Sequence, residues 1–394
     1  MNYHNQGIVF NAVGWKEQRS IALSILRHMG IGKNTLAEKI DEEVDMYLEA
    51  LLSKMSGKTS GVVDIRLLTA ASTCNVITAI LTGERFEYED RDFKRIIEIL
   101  NYNFSHMLSA GANFLNIWPI FHYLPGDIFG TKVIVRNRSE FTKLLMKRVE
   151  DVTGKHDYDE TTDDSFIANY IREENLRKKH GHKIDPGNLY KVVEDLFSAG
   201  TETTSTTINW FVVYMMQYPD VQEKIYIEIK SEIGTERRPT MQDKTKLVYL
   251  NAALMEVQRL GDVAPMGVMH QSTQAATFKG FHIPEGSQII SNLSSVMFDK
   301  DVWGEDVDVF RPERFLDDSG RLRHVEQMIP FSVGRRACPG EALAKMELYL
   351  YIVKMCQRFQ FLMPDADSPP EIVEVFGITR TMAPFEVRII DRRA

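Results

Sequence analysis

The sequence predicts a mainly α-helical protein, folded as one domain over residues 1–394, with a small β region in the last third of the chain. Three observations carry that expectation. Apolar residues recur at three- and four-residue spacing through most of the sequence, the mark of helices that bury one face. Strand-like stretches are few, short and late. Two polar stretches interrupt the pattern, residues 154–164 and 173–183, and both read as loops, since neither is long or Gly/Ser-rich enough to divide the chain into independent domains.

The helical spacing begins around Trp15-Lys-Glu-Gln-Arg19 and returns over residues 35–52, 91–108 and 139–152. It is longest over 188–216 and continues over 219–233, 247–260 and 341–359. Strands are expected at 277–281 and 288–293, flanking a Pro284-Glu-Gly286 turn, and at 385–390. With 44% hydrophobic and 26% charged residues the chain can build a large core.

The net charge of −8, with no basic stripe, argues against nucleic acid as a partner. Three cysteines, Cys74, Cys338 and Cys356, are too few for a disulfide scaffold and fit reduced thiols. The opening twenty residues hold no apolar run of the roughly 20 residues a spanning helix needs.

The most informative segment is Phe331-Ser-Val-Gly334-Arg-Arg336-Ala-Cys338-Pro-Gly340. A bendable run precedes the cysteine and a strong helical pattern follows it at once. That places the sulfur near a helix N-terminus, where backbone N–H groups and the helix dipole favour a thiolate. Gly334 and Gly340 allow backbone geometries that turn N–H groups toward sulfur. Arg336, two residues earlier, is placed to meet an anionic group on the same ligand. Cys74 and Cys356 lie in apolar helical runs and read as small core residues.

This loop resembles the Phe-x-x-Gly-x-Arg-x-Cys-x-Gly signature of cytochrome P450 at every fixed position. The resemblance implies the fold of that family: a large helical domain with a small β region, and haem b between the long central helix and the helix after the cysteine loop. It implies Cys338 as the axial thiolate ligand to iron, the electron-rich ligand that favours O–O cleavage.

Other motifs agree. Glu256-Val-Gln-Arg259 puts opposite charges on one helix face, and Phe310-Arg-Pro312-Glu-Arg314-Phe315 follows. The resemblance implies a buried structural network of Glu256, Arg259 and Arg314. Ala199-Gly200-Thr201-Glu202-Thr203-Thr204 combines poor helix formers with hydroxyls that can bond back and bend a helix. A local widening is expected there, leaving hydroxyls free for a small ligand. The segment is similar to the family's oxygen-binding groove, which implies Glu202 and Thr203 as a catalytic proton relay. Trp15 and Arg19 share a helix face and, with Arg336 and His270, look like contacts to the haem propionates. The resemblance adds Ala199, Phe331 and Gly340 as haem contacts.

The match runs through nearly the whole chain, including DLFSAGTETTSTT and FDKDVWGEDVDVFRPERF. It is strongest with the animal microsomal, drug- and steroid-metabolising subgroup. It implies a monooxygenase that places one atom of O2 in a lipophilic small molecule. Electrons would come from an NADPH–cytochrome reductase, with cytochrome b5 as a further donor, at the cytosolic face of the endoplasmic reticulum. Lys16, Lys33 and Lys345 are candidates to face an acidic reductase surface. By position, substrate contacts fall on Phe197, Val263, Met266, Val268, Phe376 and Ile378, all apolar. The aromatic stretch 116–125 suits a peripheral membrane contact. The resemblance also implies an earlier section of roughly a hundred residues, with an anchor, first helices and strands of the main sheet. The expectation is therefore a chain without those N-terminal strands, and the alternative function is that of a truncated, catalytically impaired haem-binding remnant. A haem-thiolate isomerase is disfavoured by the intact relay pair.

Overall fold

The computed structural model describes residues 7–9, 14–30, 34–55, 58–107, 114–115, 118–154, 164–181, 185, 187–365 and 374–393. Among them the chain runs α1 (Trp15–His28), α2 (Asn34–Lys54), β1 (Ser60–Val63), α3 (Arg66–Thr82), α4 (Arg91–His106), α5 (Thr131–Thr153), α6 (Phe166–Lys179), α7 (Gly187–Gln217), α8 (Pro219–Glu232) and α9 (Val248–Gly261). Four short strands follow: β2 (His270–Gln271), β3 (Ala276–Phe278), β4 (Phe281–Ile283) and β5 (Gln288–Ile289). After a meander come α10 (Glu341–Arg358), β6 (Phe359–Leu362), β7 (Glu374–Phe376), β8 (Arg380–Met382) and β9 (Val387–Asp391).

The mainly helical class is as expected, and the core is built around α7. That helix has 31 residues, about 46 Å at 1.5 Å per residue. It is buried through most of its length, and α3 packs along it. Gly200 makes the approach possible: a Cβ there would sit 2.5 Å from Ile77 Cδ1. Thr73 Oγ1 donates to the Thr201 carbonyl at 3.1 Å, stitching the same contact. α3 itself is buried almost all round, so it carries no polar stripe for periodicity to detect.

The β region is more broken than expected. The 277–281 stretch is a hairpin tip, not one strand. Lys279 (φ 48°) and Gly280 (φ 84°) form a tight turn that pairs Phe278 with Phe281. The 288–293 stretch shortens to β5, which pairs with β2 through His270↔Ile289. The Pro284–Gly286 turn therefore joins two separate small sheets. The expected strand at 385–390 is β9. It lies between β1 and β6 in an antiparallel sheet, with Val387 and Ile389 buried together with Phe359 and Phe361 of β6. Of the two expected loops, residues 155–163 lie outside the described residues. Most of 173–183 is helix, because α6 runs to Lys179, capped at its start by the Ser165 side chain.

Candidate active site

The cysteine loop is shaped by its backbone. Ser332 (φ 61°) and Gly334 (φ 79°) take left-handed conformations. A single 3-10 turn, Gly334–Arg336, then folds the chain back so that the Cys338 N–H donates to the Phe331 carbonyl at 2.8 Å. The Cys338 sulfur lies at the start of α10, where the N–H groups of Gly340 and Glu341 favour its thiolate. Gly340 is itself in an ordinary conformation (φ −93°), so of the two glycines expected to need special geometry only Gly334 does.

Desolvation by surrounding protein atoms raises the Cys338 thiol above its ordinary value, although the residue keeps an open face. The Gly340 N–H, the Arg19 charge and the Glu341 N–H pull it down, while the Glu341 carboxylate adds to the rise. Cys338 is exposed at its site, whereas Cys74 and Cys356 are buried. Burial pushes both of those thiols up to about 12. Exposure is the better guide to which sulfur can meet a ligand, and it selects Cys338.

Beside the sulfur lies a pair of cations. Arg19, on α1, donates to the Ala337 carbonyl. The Arg336 guanidinium stacks on the Trp15 ring, 3.7 Å from its centroid. Burial lowers both guanidinium values, and the charge of Arg19 lowers that of Arg336 further. Two guanidiniums held this close are suited to an anionic ligand group. His270 is exposed on β2, and Phe331 is half-buried with Lys345 over its ring.

On α7, otherwise so deeply buried, Ala199 is exposed and Leu196, Gly200 and Thr203 are partly so. Their spacing puts them on one stripe, and α7 packs against α10, the helix that Cys338 precedes. An exposed cysteine at a helix start, an open stripe of mostly small residues and a cation pair together fit a flat, carboxylate-bearing haem.

The helix does not widen at this point. α7 is continuous, and its hydroxyls bond back to their own turns: Thr201 to Phe197 O at 2.7 Å and Thr203 to Ala199 O at 2.8 Å. The Thr203 proton is therefore engaged, leaving its oxygen as an acceptor. Glu202 is 3% exposed. Its Oε1 receives Thr206 Oγ1 at 3.3 Å and Thr379 Oγ1 at 3.5 Å, and its Oε2 is buried without a partner. Desolvation pushes this carboxyl up to about 7. Neither Thr206 nor Thr379 was legible as a site residue. The first is one hydroxyl among many on α7, and the second is 177 positions from Glu202.

The Glu–Arg–Arg network forms as expected. Glu256 and Arg259 are fully buried, and Arg314 is 3% exposed. Glu256 accepts Arg259 Nε at 2.7 Å, Arg314 Nε at 3.0 Å and the Arg311 N–H at 3.0 Å. The remaining guanidinium donors reach the carbonyls of Met297, Val307 and Val309 and the Asp306 carboxylate. Arg314 and Arg311 hold Asp306 down at about 2. Every charge is answered, the condition under which a buried ionic group is tolerated.

The apolar residues expected around a substrate divide. Met266 and Val268 are 45% and 47% exposed, and Val263 and Ile378 are half-buried. The Val263 carbonyl accepts the Arg380 N–H at 3.0 Å, which brings the β7–β8 turn beside the end of α9. Phe197 departs from expectation. It is 1% exposed and packs on Phe141 in the core, on the face of α7 away from the open stripe. Phe376 contributes backbone to β7, and its side chain lies outside the described residues.

The fold and this site define a haem-thiolate oxygenase. Comparison with known proteins places it further: the family model described as Cytochrome P450 matches residues 1–389. The chain is 36% identical to mouse Cytochrome P450 2U1 over 98% of its own length and 72% of the relative's. It is 36% identical to Cytochrome P450 2D20 of Mesocricetus auratus over 98% and 76%, and 35% identical to rabbit Cytochrome P450 2C3 over 93% and 74%. The chain belongs to the cytochrome P450 family, and it is a monooxygenase that uses haem with a cysteine thiolate ligand.

Proposed function

We propose that Cys338 is the axial ligand of this enzyme and that the other site residues divide the work around it. Trp15, Arg19, Arg336 and His270 hold the haem carboxylates, while Ala199, Phe331 and Gly340 bound its faces. Bound haem supplies the activation of dioxygen and the insertion of one oxygen atom into a substrate. The chain's own contribution is positioning and proton control. The Glu202 carboxyl, tuned by burial to exchange protons near neutrality, and the Thr203 oxygen, left free to accept a hydrogen bond, form the relay. The Glu256–Arg259–Arg314 network fixes the meander that leads to the cysteine loop. The observation that carries the reading is the exposed Cys338 at the start of α10, with Arg19 bonded to the adjoining Ala337 carbonyl and Arg336 stacked on Trp15.

The substrate is a lipophilic small molecule, recognised by Val263, Met266, Val268 and Ile378, with Phe376 on the neighbouring strand. Electrons come from an NADPH–cytochrome reductase, with cytochrome b5 as a second donor, through the face that carries exposed Lys16 and Lys345; Lys33 lies outside the described residues. No described helix is long and apolar enough to cross a membrane. The exposed Trp118, Ile120, Tyr123, Leu124 and Ile128 are the surface that meets the endoplasmic reticulum bilayer. An assembled thiolate site and relay acid favour turnover over an impaired remnant. Thr203→Ala tests this: the ratio of product to NADPH consumed should fall, and an unchanged ratio would refute the relay.

A further inference from the structure

The turn between β7 and β8 touches three elements at once. The Ile378 N–H donates to the Phe104 carbonyl at the end of α4, at 3.0 Å, and the Arg380 N–H donates to Val263 beyond α9, at 3.0 Å. Trp210 Nε1, on α7, donates to the Arg380 carbonyl at 3.0 Å. Gly377 leaves no room for a side chain, since a Cβ would lie 2.2 Å from the Phe104 oxygen. A turn clamped in this way is fixed to α4, to α7 and to Val263 just beyond α9. Its next residue, Thr379, points inward at 1% exposure and reaches Glu202 Oε1. Thr206 approaches the same oxygen, and Oε2 is left buried and unpartnered.

We propose that Thr379 is a positioning residue. With Thr206 it pins Oε1 of Glu202, presents Oε2 as the proton-carrying oxygen, and ties that orientation to the wall a bound small molecule presses. The inference rests on Glu202 being the relay acid. It adds a link by which occupancy of the pocket, through Ile378 and the turn, adjusts the acid.

Thr379→Val removes the hydroxyl and keeps the shape, and Thr379→Ser restores the hydroxyl. The first readout is the infrared C=O stretch of the buried acid, identified by its loss in Glu202→Gln and measurable without turnover. It should move to higher frequency in Thr379→Val and return in Thr379→Ser. An alkoxycoumarin probe should shift the band in the native protein and not in Thr379→Val. The second readout uses haem-loaded protein, reductase and the same probe. Product per NADPH should fall about threefold to tenfold, the range one neutral hydrogen bond supports, with probe affinity unchanged. If Thr379→Val does not load haem, Thr206→Val interrogates the same oxygen and should give the same two shifts. An unmoved band and ratio, while Thr203→Ala lowers the ratio, would overturn the role of Thr379 and leave the relay standing. An unmoved ratio in both Thr203→Ala and Glu202→Gln would overturn the relay itself.

Discussion

The guanidinium of Arg336 lies 3.7 Å from the centroid of the Trp15 ring, so the cysteine loop and the first described helix meet through a cation on an aromatic face. That contact holds one of two half-buried positive charges in place beside Cys338. Both are suited to a haem carboxylate. Arg336→Leu should therefore weaken haem binding about tenfold to a hundredfold, the range of a charge-assisted hydrogen bond, in a spectroscopic titration. Haem dimethyl ester, whose carboxylates are blocked, should bind native and variant protein alike. Equal losses for both forms would show that Arg336 acts through packing.

The Glu256–Arg259–Arg314 network should matter for stability far from any chemistry. Arg314→Met leaves Glu256 and Asp306 short of a partner and should cost about 3–5 kcal/mol, the usual penalty for breaking a buried ionic group. Denaturant unfolding measures it. A loss below about 1 kcal/mol, typical of a surface bridge, would contradict the burial described here.

Glu202 gives a pH dependence with a definite sign. Its folded value of about 7 lies above the ordinary 4.5. Below pH 4.5 the carboxyl is protonated in both states, and above 7 it is ionised in both, with the native state carrying a buried charge. Native stability from this group thus falls as pH rises from 4.5 to 7, by roughly 3 kcal/mol at about 1.4 kcal/mol per unit. Glu202→Gln should gain on the native protein across that window when unfolding is measured at each pH. A difference that stays constant with pH would refute the shift.

Gly200 is in a helix interior, where alanine is ordinarily better by about 1 kcal/mol. Gly200→Ala should nevertheless destabilise by about 1–3 kcal/mol, the usual cost of overpacking, because its Cβ meets Ile77 at 2.5 Å. Adding Ile77→Ala should relieve that steric cost. A stabilised single variant in thermal unfolding would mean that α3 and α7 are less closely packed than described.

The helices that bury one face were legible in the sequence, and so was the cysteine loop, because both are local patterns. α3 escaped because burial on nearly every side leaves no periodicity. The charged run after Glu173 read as a loop, but α6 keeps Phe166, Ile167 and Tyr170 buried and displays the charges on its outer turns. The 277–281 stretch looked continuous because a lysine and a glycine in left-handed conformations make a turn without a Pro or Asn signal. Phe197 was assigned to the substrate by its place along the chain, and the rotation of α7 sends it to the core instead. The meeting of Thr379 with Glu202 depends on three-dimensional packing alone.

The central claim is the ligand role of Cys338, and the absorption spectrum of the reduced, carbon monoxide-bound protein tests it most directly. The native chain loaded with haem should show the strongly red-shifted Soret band of a thiolate ligand. Cys338→His should lose that band, and Cys356→Ser should keep it. A histidine-type band in the native protein, or a thiolate band that survives in Cys338→His, would contradict the assignment.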